Sequence, residues 1–233
     1  MIELINNENS LSEFNNNISD KLVNEIFDPT LDLSVDYSEI FIDDFIQNEA
    51  IKEIPIIKSI VGVVKGGISI SQFWFAKKLL AFIKEFNSGK IEETKLSSFK
   101  KKLNDDKKLG KKIAEKLMVF IDRNVEIKQT QIIANLFKAY VNQDISFEEF
   151  NNILITLSNL NPKSFNTFFE LEKIDFSITE KNHKEIGQRN FEMEALISNS
   201  GFATEPSSWF RGFSLTDDGA KLFKFGIRPL GKR

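Results

Sequence analysis

The sequence contains no cysteine. That excludes disulfides, thiolate metal sites and cysteine nucleophiles, and it suits a reducing cytosol. Histidine occurs once, at His183, inside the run Glu180-Lys181-Asn182-His183-Lys184-Glu185. One imidazole flanked by charges cannot build a histidine-rich zinc site. It reads as a solvated loop residue, with a catalytic role as the alternative. Long apolar runs are missing too. In the central stretch the longest uncharged run lies between Lys65 and Lys77, eleven residues, where a membrane span needs roughly 20. The amino terminus, MIELINNENSLSEF, shows neither the basic start nor the apolar run of a signal peptide, and no lipidation pattern is present. The expected location is cytoplasmic, at most peripheral to a membrane. No serine sits in a G-x-S-x-G elbow, and Gly66-Gly67 has no downstream G-K-[ST] to make a phosphate-binding loop.

What is abundant is phenylalanine, 23 of 233 residues, so much of the core must be aromatic. A chain of this length is one large domain or two modest ones. Net charge is −3 but unevenly placed: residues 1–50 hold 12 acids and one base, residues 51–141 hold 19 bases and 9 acids. Lys100, Lys101, Lys102, Lys107, Lys108, Lys111 and Lys112 form the densest basic patch. Such a run is usually a solvated helix face; here an acidic segment in the same chain is expected to lie against it.

The stretch Ile54–Phe86 is the most apolar, and its pattern predicts two helices broken at a Gly66-Gly67 hinge or turn. At 100° per residue, Lys58, Ser59, Gly62 and Lys65 share a narrow polar strip on the first helix. Lys77, Lys78, Ala81, Lys84 and Glu85 do so on the second, opposite Phe73, Leu79, Leu80, Phe82, Ile83 and Phe86. Helices apolar over so much of their circumference must be covered by neighbours or by lipid. Trp74 falls within the polar strip, one turn before Lys77 and Lys78. It is either a helix-start residue packed on a loop or an exposed aromatic ringed by lysines, suited to a partner hot spot or a membrane interface. Trp74, Lys77, Lys78, Gly66 and Gly67 are therefore the candidate contact residues. Trp209 raises the same question more weakly.

Around this centre, Ser10 with Glu13 makes a capping box opening a helix that Asp28-Pro29 stops. Leu31, Leu33 and Val35 alternate like a short strand, and 36–48 reads as helix. Pro55 suits a first helical turn and Asn87-Ser88-Gly89 an exit. Helical spacing continues through Leu96–Leu103, Leu109–Ile121 and Ile132–Tyr140, then from a second box, Ser146 with Glu149, to Asn161-Pro162, and again over 164–172. The polar residues 173–185 read as a linker, followed by a helix ending near Gly201.

The motifs that could carry chemistry weaken on inspection. Asp144-Ile145-Ser146-Phe147-Glu148-Glu149-Phe150 looks like the end of a calcium loop. With Glu149 as its last ligand, however, the loop would begin at Lys138 and place Gln143 where glycine belongs. It is a helix cap. Glu93-Thr94-Lys95 and Glu126-Ile127-Lys128 mimic the E-x-K of metal-dependent nucleases but lie in helical context. Asp43-Asp44, Asp105-Asp106 and Asp217-Asp218 suit first turns of helices. No catalytic residue, metal site or cofactor is expected.

The ending, Ser207–Phe213 followed by Leu215-Thr216-Asp217-Asp218-Gly219-Ala220-Lys221-Leu222, with Thr216 as N-cap, resembles the wing region of bacterial winged-helix proteins. Together with EIPIIKSIVGVVKGG and AYVNQDISFEEF it resembles a class of bacterial proteins associated with prophages and antiphage defence. The expectation is a mainly α multi-helix bundle around the apolar hairpin over 1–172, a linker at 173–185 and a winged-helix-like α+β unit over 186–233. Three functions follow: a non-enzymatic interaction protein (sensor or adaptor) that binds another protein or itself; a membrane-active effector inserting the 54–86 hairpin into an anionic surface; and a nucleic-acid-binding regulator using the C-terminal unit.

Overall fold

A computed structural model of the chain describes residues 21–27, 39–61, 68–172, 200–204 and 214–231. Helix dominates them, in two compact units, Met1–Thr130 and Gln131–Arg233, divided within the helix Ile127–Val141.

The first unit is arranged on the helix Ile70–Ser88. Ser69 accepts from the Gln72 backbone N–H (3.2 Å) and the Gln72 side chain accepts from the Ser69 N–H (3.0 Å), a capping box that fixes where the helix starts. Gly89 ends it, as expected. Phe73, Ala76, Leu79, Leu80, Phe82, Ile83 and Phe86 are all buried, each large side chain contributing about 1.5–3 kcal/mol. Residues 21–27 pack beside its far end. Phe27 meets Phe86 edge-on (5.6 Å) and Phe99 at a tilt (6.0 Å), while Asn87 donates to the Ile26 carbonyl (3.1 Å). Pro55–Val61 begins at its proline as the sequence implies; Gly66 and Gly67 lie outside the described residues.

Of the expected 36–48 helix, the described residues are helical from Ile42 to Gln47, after an extended Phe41, and the helix stops at Asn48. The Asn48 side chain accepts from the Ile51 N–H (3.1 Å) and caps a separate helix, Glu49–Glu53. An asparagine competes with the helical backbone for its own donors, so a continuous apolar period breaks there. Glu93–Asp105 and Lys107–Arg123 follow as a hairpin turned at Asp106, whose carboxylate accepts from the Leu109 N–H (3.0 Å).

In the second unit Ile127–Val141 ends in a Schellman turn. Asp144 N–H reaches the Ala139 carbonyl (2.9 Å) and Gln143 N–H that of Tyr140 (3.0 Å), with Gln143 at φ 64°. The position that reads as a misplaced calcium-loop residue is a left-handed helix stop. Ser146 and Glu149 form the expected box and open Phe147–Leu157. Pro162–Ser164 is a 3₁₀ turn leading into Phe165–Glu172. The end of the chain joins this core through aromatic rings. Phe168 stacks on Phe223 (6.1 Å, 6°) and packs against Phe202 (6.2 Å). Thr216 caps Asp217–Lys221 through the Gly219 N–H (3.2 Å), and a π-helical stretch, Leu222–Ile227, continues it. A Cβ on Gly219 would lie 1.9 Å from the Phe202 carbonyl oxygen, so only glycine fits there.

The winged-helix-like unit is not supported. Among the described residues the only pairing is Ala203–Thr204 with Ser214–Leu215, antiparallel and two residues each, and the residues that would form the wing, 205–213, lie outside the described ones. The 173–185 linker, the helix expected before Gly201, Ser207–Phe213, the Ser10 box and the 31–35 strand pattern lie outside the described residues.

Lys221 Nζ lies 2.7 Å from Glu149 Oε1 and also contacts Asp217. That ammonium, with the Ser146 amide and hydroxyl, holds the Glu149 carboxyl down at about 2, from the usual 4.5. A depressed acid contributes stability above its unfolded value and loses it as pH falls to the folded one. The second unit should therefore weaken between about pH 4.5 and 2. In Lys221→Met the Glu149 carboxyl should titrate closer to its usual range and this acid-sensitive component should shrink, as read by NMR titration and acid denaturation. An unchanged Glu149 titration would refute the link.

Candidate interaction surface

The residues singled out in the sequence separate into two places on the first unit. Lys77 and Lys78, expected on a polar strip, are buried, 7 % and 6 % exposed. Lysine stems can lie along apolar surface if the ammonium finds acceptors. Lys77 Nζ donates to the Ile40 carbonyl (2.8 Å) and sits 5.0 Å from the centre of the Trp74 ring. Lys78 Nζ donates to the carbonyls of Asp122 (2.6 Å) and Asn124 (3.1 Å), with Asp122 Oδ1 at 4.0 Å. It thereby caps the C-terminal end of Lys107–Arg123, whose last carbonyls have no partners within their own helix; Asn124 helps by donating to the Phe120 carbonyl (2.6 Å). Burial pushes the Lys78 pKa below the usual lysine value, and the Asp122 carboxylate opposes that.

These two tethers hold two loop segments to the helix that carries Trp74. The carbonyl held by Lys77 belongs to the residue before Phe41, which is 75 % exposed, and Lys78 holds the residue before Val125, 85 % exposed. Ile70, one turn before Trp74, is 71 % exposed, and Trp74 itself 45 %. Trp74 leans on Phe73 (5.8 Å, edge-on), which packs on the buried Phe45 (5.3 Å). The indole is anchored on one side and open on the other. Trp74 was legible in the sequence. Phe41, Ile70 and Val125 were not, since nothing in their spacing separates them from core positions.

Lys100, Lys101, Lys102, Lys107, Lys108, Lys111 and Lys112 gather at the Asp106 turn. Lys101, Lys102, Lys107, Lys108 and Lys112 are exposed. Lys111 pairs with Glu115 (3.7 Å), and Lys100 donates to the Phe27 carbonyl (3.4 Å) with its ammonium over the Phe27 ring. The described part of the acidic N-terminal segment thus meets the patch through a carbonyl and a ring. Fifteen helical residues separate Lys107 from Asp122, roughly 22 Å at 1.5 Å per residue. The basic patch and the Trp74 end are distinct surfaces.

The E-x-K pairs stay in helical context: Glu93 and Lys95 lie within Glu93–Asp105, and Lys128 follows the start of Ile127–Val141. Among the described residues no group of three or more potential ligands could hold a metal ion, and no helix is long and apolar enough to cross a membrane. His183 and Trp209 lie outside them.

Replacing Lys78 with methionine should cost on the order of 1–3 kcal/mol, since hydrogen bonds from a charged donor are lost and carbonyls are stranded. It should also raise amide exchange near residue 122. Because the folded chain gives up the Lys78 proton before the unfolded chain does, stability gains as pH rises toward 10.5; Lys78→Met should remove that gain in denaturation at two alkaline pH values. Comparison with protein-family models, with curated proteins and with solved structures found no match to this chain.

Proposed function

We propose that the chain is a helical interaction protein, an adaptor or sensor that works by binding, and that its contact surface is the Trp74 end of the first unit. One observation carries this. Of the six large apolar side chains exposed among the described residues, four (Phe41, Ile70, Trp74 and Val125) are linked through the adjacent tethers of Lys77 and Lys78. Exposed apolar residues held near one helix are a better contact candidate than ones scattered singly, and an aromatic such as Trp74 is the residue type that carries protein hot spots. The prophage or antiphage setting rests on the sequence resemblance alone. A nucleic-acid contact through residues 186–233 has only the short Ala203–Thr204/Ser214–Leu215 pairing and the Thr216 cap behind it, and we do not favour it. In cells that express the chain, a photo-crosslinker at position 70 should yield a discrete product that Phe41→Ser with Trp74→Ser abolishes. A crosslinker at Ile155, exposed in the second unit, should not give that product. Products that persist in the double variant would reject this surface.

The Asp106 turn favours a second contact, with a polyanion. Five exposed lysines flank one turn, and phosphate-rich partners bind such patches with steep salt dependence. Retention on heparin should fall as salt rises, and glutamine at Lys101, Lys107, Lys108 and Lys112 should lower the eluting salt. Identical elution would leave these lysines as a solvating face.

A further inference from the structure

The polyanion at the Asp106 turn can be narrowed by what accompanies its lysines. Residues 95–116 hold nine lysines and no arginine, against Asp105, Asp106 and Glu115. Two helices, Glu93–Asp105 and Lys107–Arg123, bring them to one end, because the last turn of the first packs on the start of the second. A Cβ on Gly110 would lie 3.9 Å from Leu103 Cδ2. Among the described residues no large apolar side chain is exposed between Phe86 and Val119. The patch therefore offers no ring on which the bases of a single strand could stack, and no side chain to enter a bilayer. Its shape selects further. At 100° per residue, Lys107 and Lys112 lie about 140° apart around one helix, and Lys101 and Lys102 about 100° apart on the other. All four are exposed, as is Lys108 between the first two. A flat headgroup layer meets only one side of such an arc. A groove meets both, and the B-form major groove, about 12 Å wide, admits a helix about 10–12 Å across.

We infer that this end of the helical hairpin binds double-stranded DNA without regard to sequence. The start of Lys107–Arg123 enters the major groove, and Lys101, Lys102, Lys107, Lys108 and Lys112 meet phosphates on its two walls. Lysine suits this task, since a point charge on a flexible stem answers to phosphate position and not to base identity. Duplex RNA is the poorer fit, because its major groove is deep and narrow. DNA binding of this kind deepens the proposed polyanion contact and rests on these lysines forming one.

The test titrates the full chain into short labelled DNA duplexes of two unrelated sequences, a single strand and an RNA duplex, and adds flotation with phosphatidylglycerol vesicles. The two DNA duplexes should bind within about twofold of each other. Log affinity should fall with log salt at a slope of roughly −4 to −5, about −0.9 for each neutralised phosphate. The other three probes should bind at least about tenfold more weakly. Lys101→Gln, Lys107→Gln, Lys108→Gln and Lys112→Gln together should flatten the slope to about −1; these side chains are exposed, and circular dichroism checks that the helices persist. Lys163→Gln, exposed in the second unit, should leave the slope unchanged. Equal binding of the single strand, the RNA or the vesicles would overturn the inference, and so would a preference between the two DNA sequences above about tenfold. DNA binding that the quadruple variant retains would overturn it as well. If no DNA binds while lysine-dependent heparin retention stands, the patch is a polyanion site and the DNA inference fails. If heparin elution does not depend on the lysines either, both readings fail.

Discussion

Two neighbouring ammonium groups inside the first unit fix most of what surrounds them. Lys77 and Lys78 lie on a helix whose other faces are aromatic and aliphatic core, so their heads must be satisfied by protein. Main-chain carbonyls serve because buried carbonyls and buried cations each carry a desolvation cost that pairing removes. The loop at Ile40–Phe41 and the helix end at Asp122–Asn124 are thereby held to one helix by adjacent residues. The backbone of each loop is held by a lysine, leaving the next side chain, Phe41 or Val125, directed away from the core. The exposure of Phe41 and Val125 thus goes with how two cations are buried.

This also shows where periodicity stops informing. A helical wheel places Lys77, Lys78 and Ala81 on one strip, and that placement is right as geometry. It cannot say whether a polar strip meets water or meets carbonyls. When apolar residues occupy most of the circumference, a narrow strip is more easily covered by a loop than left open, and Ala81, also buried, was the hint in the residues themselves. The core positions Leu79, Phe82 and Ile83 were legible because no arrangement leaves that face solvated. The helix stops at Ser88 and the box at Ser146 were legible because they depend on local donors and acceptors. The Ser69–Gln72 box was equally readable in principle, an S-x-x-Q opening an apolar run, but the glycines before it drew attention to the break.

Misreadings at the end of the chain have a different cause. Gly219 looked like part of a degenerate wing motif, and its actual requirement is the Phe202 carbonyl beneath it, a contact between residues far apart in sequence. Gly226 is similar: a Cβ there would meet Ile132 Cγ2 at 2.9 Å, and Asn135 donates to its carbonyl at 3.4 Å. Close packing explains both glycines, against the Phe202 main chain for Gly219 and against the Ile132 and Leu136 side chains for Gly226. Motif spacing preserves such glycines without revealing which surface demands them.

The helix Lys107–Arg123 bears on whether its charges are there for stability. Its first turn holds Lys107 and Lys108 with no acid, and Asp122 stands in its last. The backbone dipole favours the opposite arrangement by about 0.3–1 kcal/mol per charge. Only the Asp106 cap and Arg123 follow the favourable sense. The preceding helix, in contrast, places Lys101 and Lys102 near its C-terminal end, where cations are welcome. Helix propensity does not explain the reversal either, because lysine and glutamate are nearly equal helix formers. At each end the charge answers to its surroundings and not to the dipole: Lys107, Lys108 and Lys112 are exposed to solvent, while Asp122 lies 4.0 Å from the buried Lys78 ammonium and favours its charged form. Exchanging Asp122 for a cation would gain from the dipole and lose more where Lys78 is buried, because a like charge beside a desolvated ammonium is costly.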